Sequence, residues 1–319
     1  MFNKDPLHQI VSPVRRELKD FEVHFRQTLR TPNKLLDLII HYILRRKGKR
    51  LRPLLLFLSA FMHNTKADRA RMLRSGVLIE LIHTATLLHD DVVDNASHRR
   101  GLLSIKAIWK SKVAVLVGDF MLAKSLRLAL QYRDYEALAM ISKVVQQMSE
   151  GELLQQSKSR HMLTQESDYF NIIKQKTASL MGACTALGTL SANASQDKQN
   201  HMWQLGIRIG QAFQIRDDIL DLAPNTLSGK PKGLDIKTKV CTLPLIHALS
   251  VTSPMERRRW RKKIQRTSKQ NTPNGTQEYL HFYSKQRRHY LCCWTYTKAM
   301  SRSYGYAQRL CRKSLQARL

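Results

Sequence analysis

Apolar residues along this chain recur at spacings of three and four, as in Leu35, Leu36, Ile39, Ile40 and Ile43. That rhythm puts them along one side of a helix. It predicts helices over 33–47, 51–62, 67–91, 104–131, 134–160, 166–190, 199–221 and 241–250. The breaks between them carry turn chemistry at Lys47-Gly48, Asn64-Thr65, Arg99–Gly101 and Ala223–Gly233. No alternating strand pattern of useful length appears, and no glycine-rich nucleotide-binding loop. The pattern therefore predicts an all-α fold.

Two of these helices end in the same way. The run from Glu80 to Leu88 leads into Asp90-Asp91-Val92-Val93-Asp94, and the helix beginning near His201 leads into Asp217-Asp218-Ile219-Leu220-Asp221. Asp90 and Asp94 are four residues apart and share a helix face, where like charges repel by a few tenths of a kcal/mol, roughly, unless a cation sits between them. One such cluster reads best as a solvated helix end. Two of them, in a chain with 24 acidic residues against 54 basic ones, point to a shared job. Facing each other they would make a cup of carboxylate oxygens. Mg²⁺ binds such oxygens, taking one or two carboxylates and completing its shell with water and substrate phosphates. The pair of clusters predicts a Mg²⁺–diphosphate site.

Around the clusters stand further motifs, in order: Gly48-Lys49-Arg50-Leu51-Arg52-Pro53, Arg99-Arg100-Gly101, Val115-Leu116-Val117-Gly118-Asp119-Phe120, Gly151-Glu152, Lys176-Thr177, Phe213-Gln214 and Gly229-Lys230-Pro231. Together they resemble the trans-isoprenyl diphosphate synthases (polyprenyl synthetases), most closely the long-chain, octaprenyl-type branch, over about residues 35–250. The resemblance implies a single large helical bundle with a central cavity, the isoprenoid synthase type of fold. It implies a homodimer that joins isopentenyl diphosphate to an allylic diphosphate. The allylic C–O bond ionises, the isopentenyl double bond attacks, and a proton leaves.

The same resemblance assigns roles. Asp90, Asp94 and Asp217 match Mg²⁺ ligands, with Asp91, Asp218 and Asp221 acting through water or behind them. Lys49, Arg52 and His83 match an isopentenyl diphosphate site with Arg100 beside it. Arg99, Lys176, Thr177, Gln214 and Lys230 match contacts to the allylic diphosphate. His89 reads as structural. Ala85 and Thr86, five and four residues before Asp90, leave the product tunnel open, and Phe120 or Met121 would floor it deeper. One position departs from the family: Val240 stands where a diphosphate-binding lysine lies five residues after the aspartate matching Asp235, and Lys239 is one residue early.

Charge adds one complication. The net charge is +30, and residues 251–319 hold 17 Lys and Arg against Glu256 and Glu278. The motifs are lost near Met255, which divides the chain into a helical synthase domain, 1–254, and a strongly basic region, 255–319. A divergent basic surface or a disrupted reading frame would each produce this ending. The charge would draw in diphosphates and an anionic membrane surface. It also raises nucleic-acid binding as a rival reading, but no helix-turn-helix, zinc or RNA-binding signature accompanies it, so no specific nucleic acid is expected. An impaired or partner-dependent synthase subunit is the other rival, on the strength of Val240 and the unmatched tail. A terpene cyclase shares the aspartate cluster but not the Lys49/Arg52 motif. Five cysteines without CxxC spacing, and a start lacking an apolar leader core, fit a reducing cytoplasm.

Overall fold

The computed structural model describes residues 6–45, 48, 50–64, 66–99, 102–161, 164–222 and 241–270. The chain divides into two compact units. One runs through Val145 and takes in Leu180–Gly206; the other comprises Gln146–Ser179 and the described residues from Ile207 to Gln270.

The first unit begins with α1 (Pro6–Val11), a 3₁₀ turn and α2 (Arg15–Thr28), followed by α3 (Lys34–Arg45), α4 (Leu51–His63) and α5 (Arg69–Val93). Helix α5 is the axis of this unit. Its residues from Met72 to Leu88 are buried on nearly every side, so it has no polar face of the usual amphipathic kind. The Asp68 carboxylate caps its start by accepting the Arg71 amide at 3.0 Å. Helices α2, α4 and α6 pack around it. Small residues permit that approach. A Cβ on Gly76 would stand 3.2 Å from the Phe57 ring, and one on Gly188 would stand 2.1 Å from the Leu56 carbonyl oxygen. The pattern does not predict α2. It is a polar helix that buries little besides Phe21 and Phe25.

After α5 the chain forms a short ribbon, β1 (His98–Arg99) antiparallel to β2 (Leu102–Leu103), with Arg99 opposite Leu102. This is the only strand pair among the described residues. The Tyr42 hydroxyl donates to the Leu103 carbonyl at 2.9 Å and ties the ribbon to α3. Ser104 then caps α6 (Ile105–Gln131), accepting the Ala107 amide at 3.1 Å. Helix α6 is kinked at Lys110, whose φ is 69°.

Helix α7 (Tyr135–His161) carries the chain into the second unit, which holds α8 (Glu166–Ile173) and a wider π turn (Lys174–Ala178). The predicted single helix over 166–190 is thus two helices, α8 and α9 (Ser179–Ser191), joined through that turn. Helix α10 (Gln196–Leu222) returns to the second unit, whose core gathers Tyr169, Ile173, Ile215 and Leu243. Helices α11 (Leu243–Ser250) and α12 (Pro254–Gln270) complete it. The basic block after Met255 is therefore helical, a property its eight cations conceal in the sequence. No helix among the described residues is long and apolar enough to cross a membrane.

Candidate active site

The site residues of the first unit hang on α5 and on the turn that starts α4. Arg50, the residue before α4, adopts a left-handed backbone (φ 48°), which costs a non-glycine residue roughly 1–2 kcal/mol. Its guanidinium secures that turn. It donates to Glu22 at 2.6 Å and to the buried Glu80 carboxylate, and it lies 5.2 Å from the centre of the Phe25 ring. Burial works against the charge on Arg50, but its hydrogen bond to Glu22 and the field of Glu80 outweigh it and raise its pKa further.

This anchor aims the next turn of α4 at α5. Arg52 Nη1 lies 2.8 Å from His83 Nε2, with His83 largely buried. Two of the three residues assigned to isopentenyl diphosphate thus meet; the side chain of Lys49 lies outside the described residues, as do those of Arg99, Arg100, Asp221 and Lys230. Val240, Lys239 and everything after Gln270 lie outside them too.

Seven residues on from His83, about 10 Å along the same helix face, comes Asp90. Asp90 is partly exposed and Asp94 exposed, while Asp91 is 1% exposed. Asp91 points instead into a recess of about 50 Å³ shared with Arg50, Glu80, His83 and Thr84, room for a water or two. His89 packs against α6, its Nε2 3.3 Å from the Val115 carbonyl and 3.4 Å from Asp119. Gly118 makes space for the ring, since a Cβ there would sit 2.3 Å from it. The Gly118-Asp119 motif is therefore a seat for His89. Ala85 is buried, and at about 100° per residue it stands roughly 140° round the helix from Asp90; Thr86 stands only about 40° away. Phe120 is partly buried under Lys124, whose Nζ is 5.5 Å from the ring centre, and Met121 is fully buried.

The second unit has its own polar chain. The Thr177 hydroxyl donates to Gln214 Oε1 at 3.0 Å, Gln214 Nε2 donates to Asp218 Oδ1 at 2.8 Å, and the Tyr169 hydroxyl donates to Asp218 Oδ2 at 2.7 Å. Asp218 is 5% exposed and held at both oxygens, whereas Asp217 faces solvent. Lys176 pairs with Glu152 at 2.5 Å. Gly151 precedes that glutamate because a Cβ there would meet Gln175 Cβ at 2.8 Å. Arg50, Glu80, Glu152 and Tyr169 are given no role by the sequence motifs. The signal for Glu152 was its place beside Gly151; nothing marks Tyr169, 49 residues from its partner.

Among the described residues no three His, Cys, Asp or Glu side chains stand close enough to cage a metal ion. A Mg²⁺ that keeps waters and borrows phosphate oxygens needs only one or two carboxylates. Asp90 with Asp94, and Asp217, are donor sets of that kind, so the residues present fit the ion.

An all-α chain with helices ending in carboxylate clusters, and a guanidinium–imidazole pair on the same face as one of them, has the equipment of an enzyme acting on diphosphates. The chain belongs to the polyprenyl synthetase family, whose model matches residues 33–279. It is a prenyl-transferring enzyme with the isoprenoid synthase fold. It is 35% identical over 227 residues to a nonaprenyl diphosphate synthase of Mycobacterium tuberculosis, covering 71% of this chain and 67% of that one. It is 32% identical over 244 residues to a heptaprenyl diphosphate synthase component 2 of Bacillus subtilis, covering 76% and 68%. Among solved structures, a decaprenyl diphosphate synthase from Rhodobacter capsulatus superposes with a TM-score of 0.85 at 26% identity, covering 97% of each chain. A polyprenyl synthase from Caulobacter crescentus, complexed with calcium and isoprenyl diphosphate, superposes at 0.83 with 27% identity, covering 99% of this chain and 93% of the other. Members of the family depend on a divalent metal.

Proposed function

We propose that this enzyme condenses isopentenyl diphosphate with an allylic diphosphate, repeatedly, to a long-chain polyprenyl diphosphate with Mg²⁺ as its metal. The observation that carries the reading is the layout of α5, where the Arg52–His83 pair and the Asp90/Asp94 pair share one face about two turns apart. That spacing suits two diphosphates held side by side. Arg52 and His83, with Lys49, hold isopentenyl diphosphate, and Arg100 lies near them in the reading. Arg99, Lys176, Thr177, Gln214 and Lys230 serve the allylic diphosphate, its metal held by Asp90, Asp94 and Asp217. When bound, the metal neutralises the diphosphate that leaves. Arg and Lys donors add fixed positive charge in a site screened from water. In this reading Asp91, Asp218 and Asp221 act through water or behind the ligands, and Gln214 and Tyr169 fix the orientation of Asp218. The allylic C–O bond breaks, a C–C bond forms to the isopentenyl double bond, and the departing pyrophosphate takes the proton.

Small side chains at Ala85 and Thr86 support the long product. The exposed apolar residues Val115, Leu116, Leu126 and Leu130 on α6 support a homodimer. The printed name of the Bacillus relative, a component 2, favours a second reading in which a different partner chain is required. Cys184 and Cys241, both buried, suit a reducing cytoplasmic setting. No role for nucleic acid enters the proposal.

The test is incubation of the purified chain with farnesyl diphosphate, isopentenyl diphosphate and Mg²⁺, with the products sized. Turnover should vanish in EDTA and fall by about 10²–10³ in Asp90→Asn or Asp217→Asn, the usual cost of one such supporting group. Full activity in EDTA would sink the reading. Activity that appears only on adding a second chain would favour the partner-dependent form.

A further inference from the structure

Helix α12 is not used by this chemistry, and its surface is unusual. From Pro254 to Gln270 it carries eight Lys and Arg and one acid, Glu256. One side is built into the second unit. Ile264 is 2% exposed, and the Arg257 guanidinium donates to the Leu249, Ser250 and Thr252 carbonyls at 2.8, 3.0 and 3.2 Å, closing the end of α11. The other side faces solvent: Met255, Arg258, Arg259 and Lys262 are exposed, and their spacing of three and four puts them on one stripe. Met255, at 82% exposure, is an apolar tip at the head of the cationic row. The helix is thus fixed by one face and presents cations with an apolar tip on the other.

We infer that the α12 stripe of Met255, Arg258, Arg259 and Lys262 docks the protein on an anionic lipid bilayer. The choice of a bilayer over a nucleic acid rests in part on the proposed function. A long polyprenyl chain gains about 0.8 kcal/mol for each CH₂ that leaves water, so its destination is lipid, and docking shortens the route. The apolar tip argues in the same direction, since a phosphate backbone offers it nothing.

The docking itself is tested without substrate or metal, so its outcome is independent of prenyl transfer. The full chain is mixed with vesicles of phosphatidylcholine alone, or of phosphatidylcholine with phosphatidylserine, and pelleted. Binding should require phosphatidylserine and should fade in molar salt, where the screening length shrinks to about 3 Å. Each cation near the surface contributes roughly fivefold to the partition. The triple variant Arg258→Gln/Arg259→Gln/Lys262→Gln should therefore bind about a hundredfold more weakly, with unchanged circular dichroism. A charge-keeping triple, Arg258→Lys/Arg259→Lys/Lys262→Arg, should bind like the parent and controls for any folding defect. Undiminished binding by the Gln triple overturns the assignment to α12. So does equal binding to neutral vesicles, or displacement of the protein from vesicles by duplex DNA at equal phosphate.

Discussion

Removing the Arg50 guanidinium gives a sharp test of how the isopentenyl side of the site is built. Methionine is the replacement of choice, because it keeps the stem and the left-handed strain, whereas glycine would relieve that strain and hide part of the loss. In Arg50→Met the Glu80 carboxylate, 8% exposed, loses its cation. Stranding one member of a buried pair costs about 3–5 kcal/mol. Glu22 is 36% exposed, so its share is discounted to well under about 1 kcal/mol by solvent, and the ring contacts add roughly 0.5–1 kcal/mol. The expected loss is about 4 kcal/mol, a large part of the ~5–15 kcal/mol that holds a domain together. Adding Glu80→Met should return most of it, because two apolar groups replace a pair whose desolvation was itself costly. Urea unfolding followed by circular dichroism at neutral pH measures each variant, with an unchanged m-value as the check on two-state behaviour. A loss below about 1 kcal/mol, or a double variant as weak as the sum of the two singles, would refute the account.

Three further outcomes follow from the packing. Thr86→Phe, on the face of Asp90, should shorten the product more than Ala85→Phe, which projects elsewhere on α5; chromatography of the reaction products decides, and the reverse order would move the tunnel wall to Ala85. The His63 imidazole is pushed below its usual 6.5 by burial and by Lys198, so the fold favours the neutral ring, and stability should be full above 6.5 and decline as pH falls from there through the folded value; His63→Gln should flatten that limb of a stability–pH curve. Gly188→Ala forces a methyl onto the Leu56 carbonyl and should cost about 1–3 kcal/mol or more, whereas the nearest atoms to a methyl in Gly118→Ala belong to the His89 ring, a side chain that can turn aside, so it should cost less in the same urea titration.

The helical course of the chain was readable because the apolar period is local. The predicted 104–131 and 67–91 are observed as Ile105–Gln131 and Arg69–Val93. Helix α2 escaped that reading, since Phe21 and Phe25 make a thin stripe on an otherwise charged segment, and α12 escaped it because one buried isoleucine is outnumbered by cations. The Arg52–His83 meeting was legible through motifs that each sit within a few residues. What tethers those motifs was not. Arg50 finds Glu22 and Glu80 across 28 and 30 residues, and Asp218 finds Tyr169 across 49. Pairings at that separation leave no periodic trace, and only the folded chain reveals them.

The π turn at Lys174–Ala178 has a consequence for how this sequence can vary. A turn that closes over one residue more than the α-helix requires holds a spare position. Deleting one residue there would let an ordinary α-helix form with its hydrogen-bond ladder whole, so helix continuity places no bar on such a deletion. What it would destroy is aim: side chains on one flank would swing by about 100° relative to the other. Lys176 would leave Glu152, Thr177 would leave Gln214, and Gly151 would guard an empty approach. Length at this point is thus policed by the polar contacts and not by the backbone, so a shortened chain would fold into helices and fail at the site.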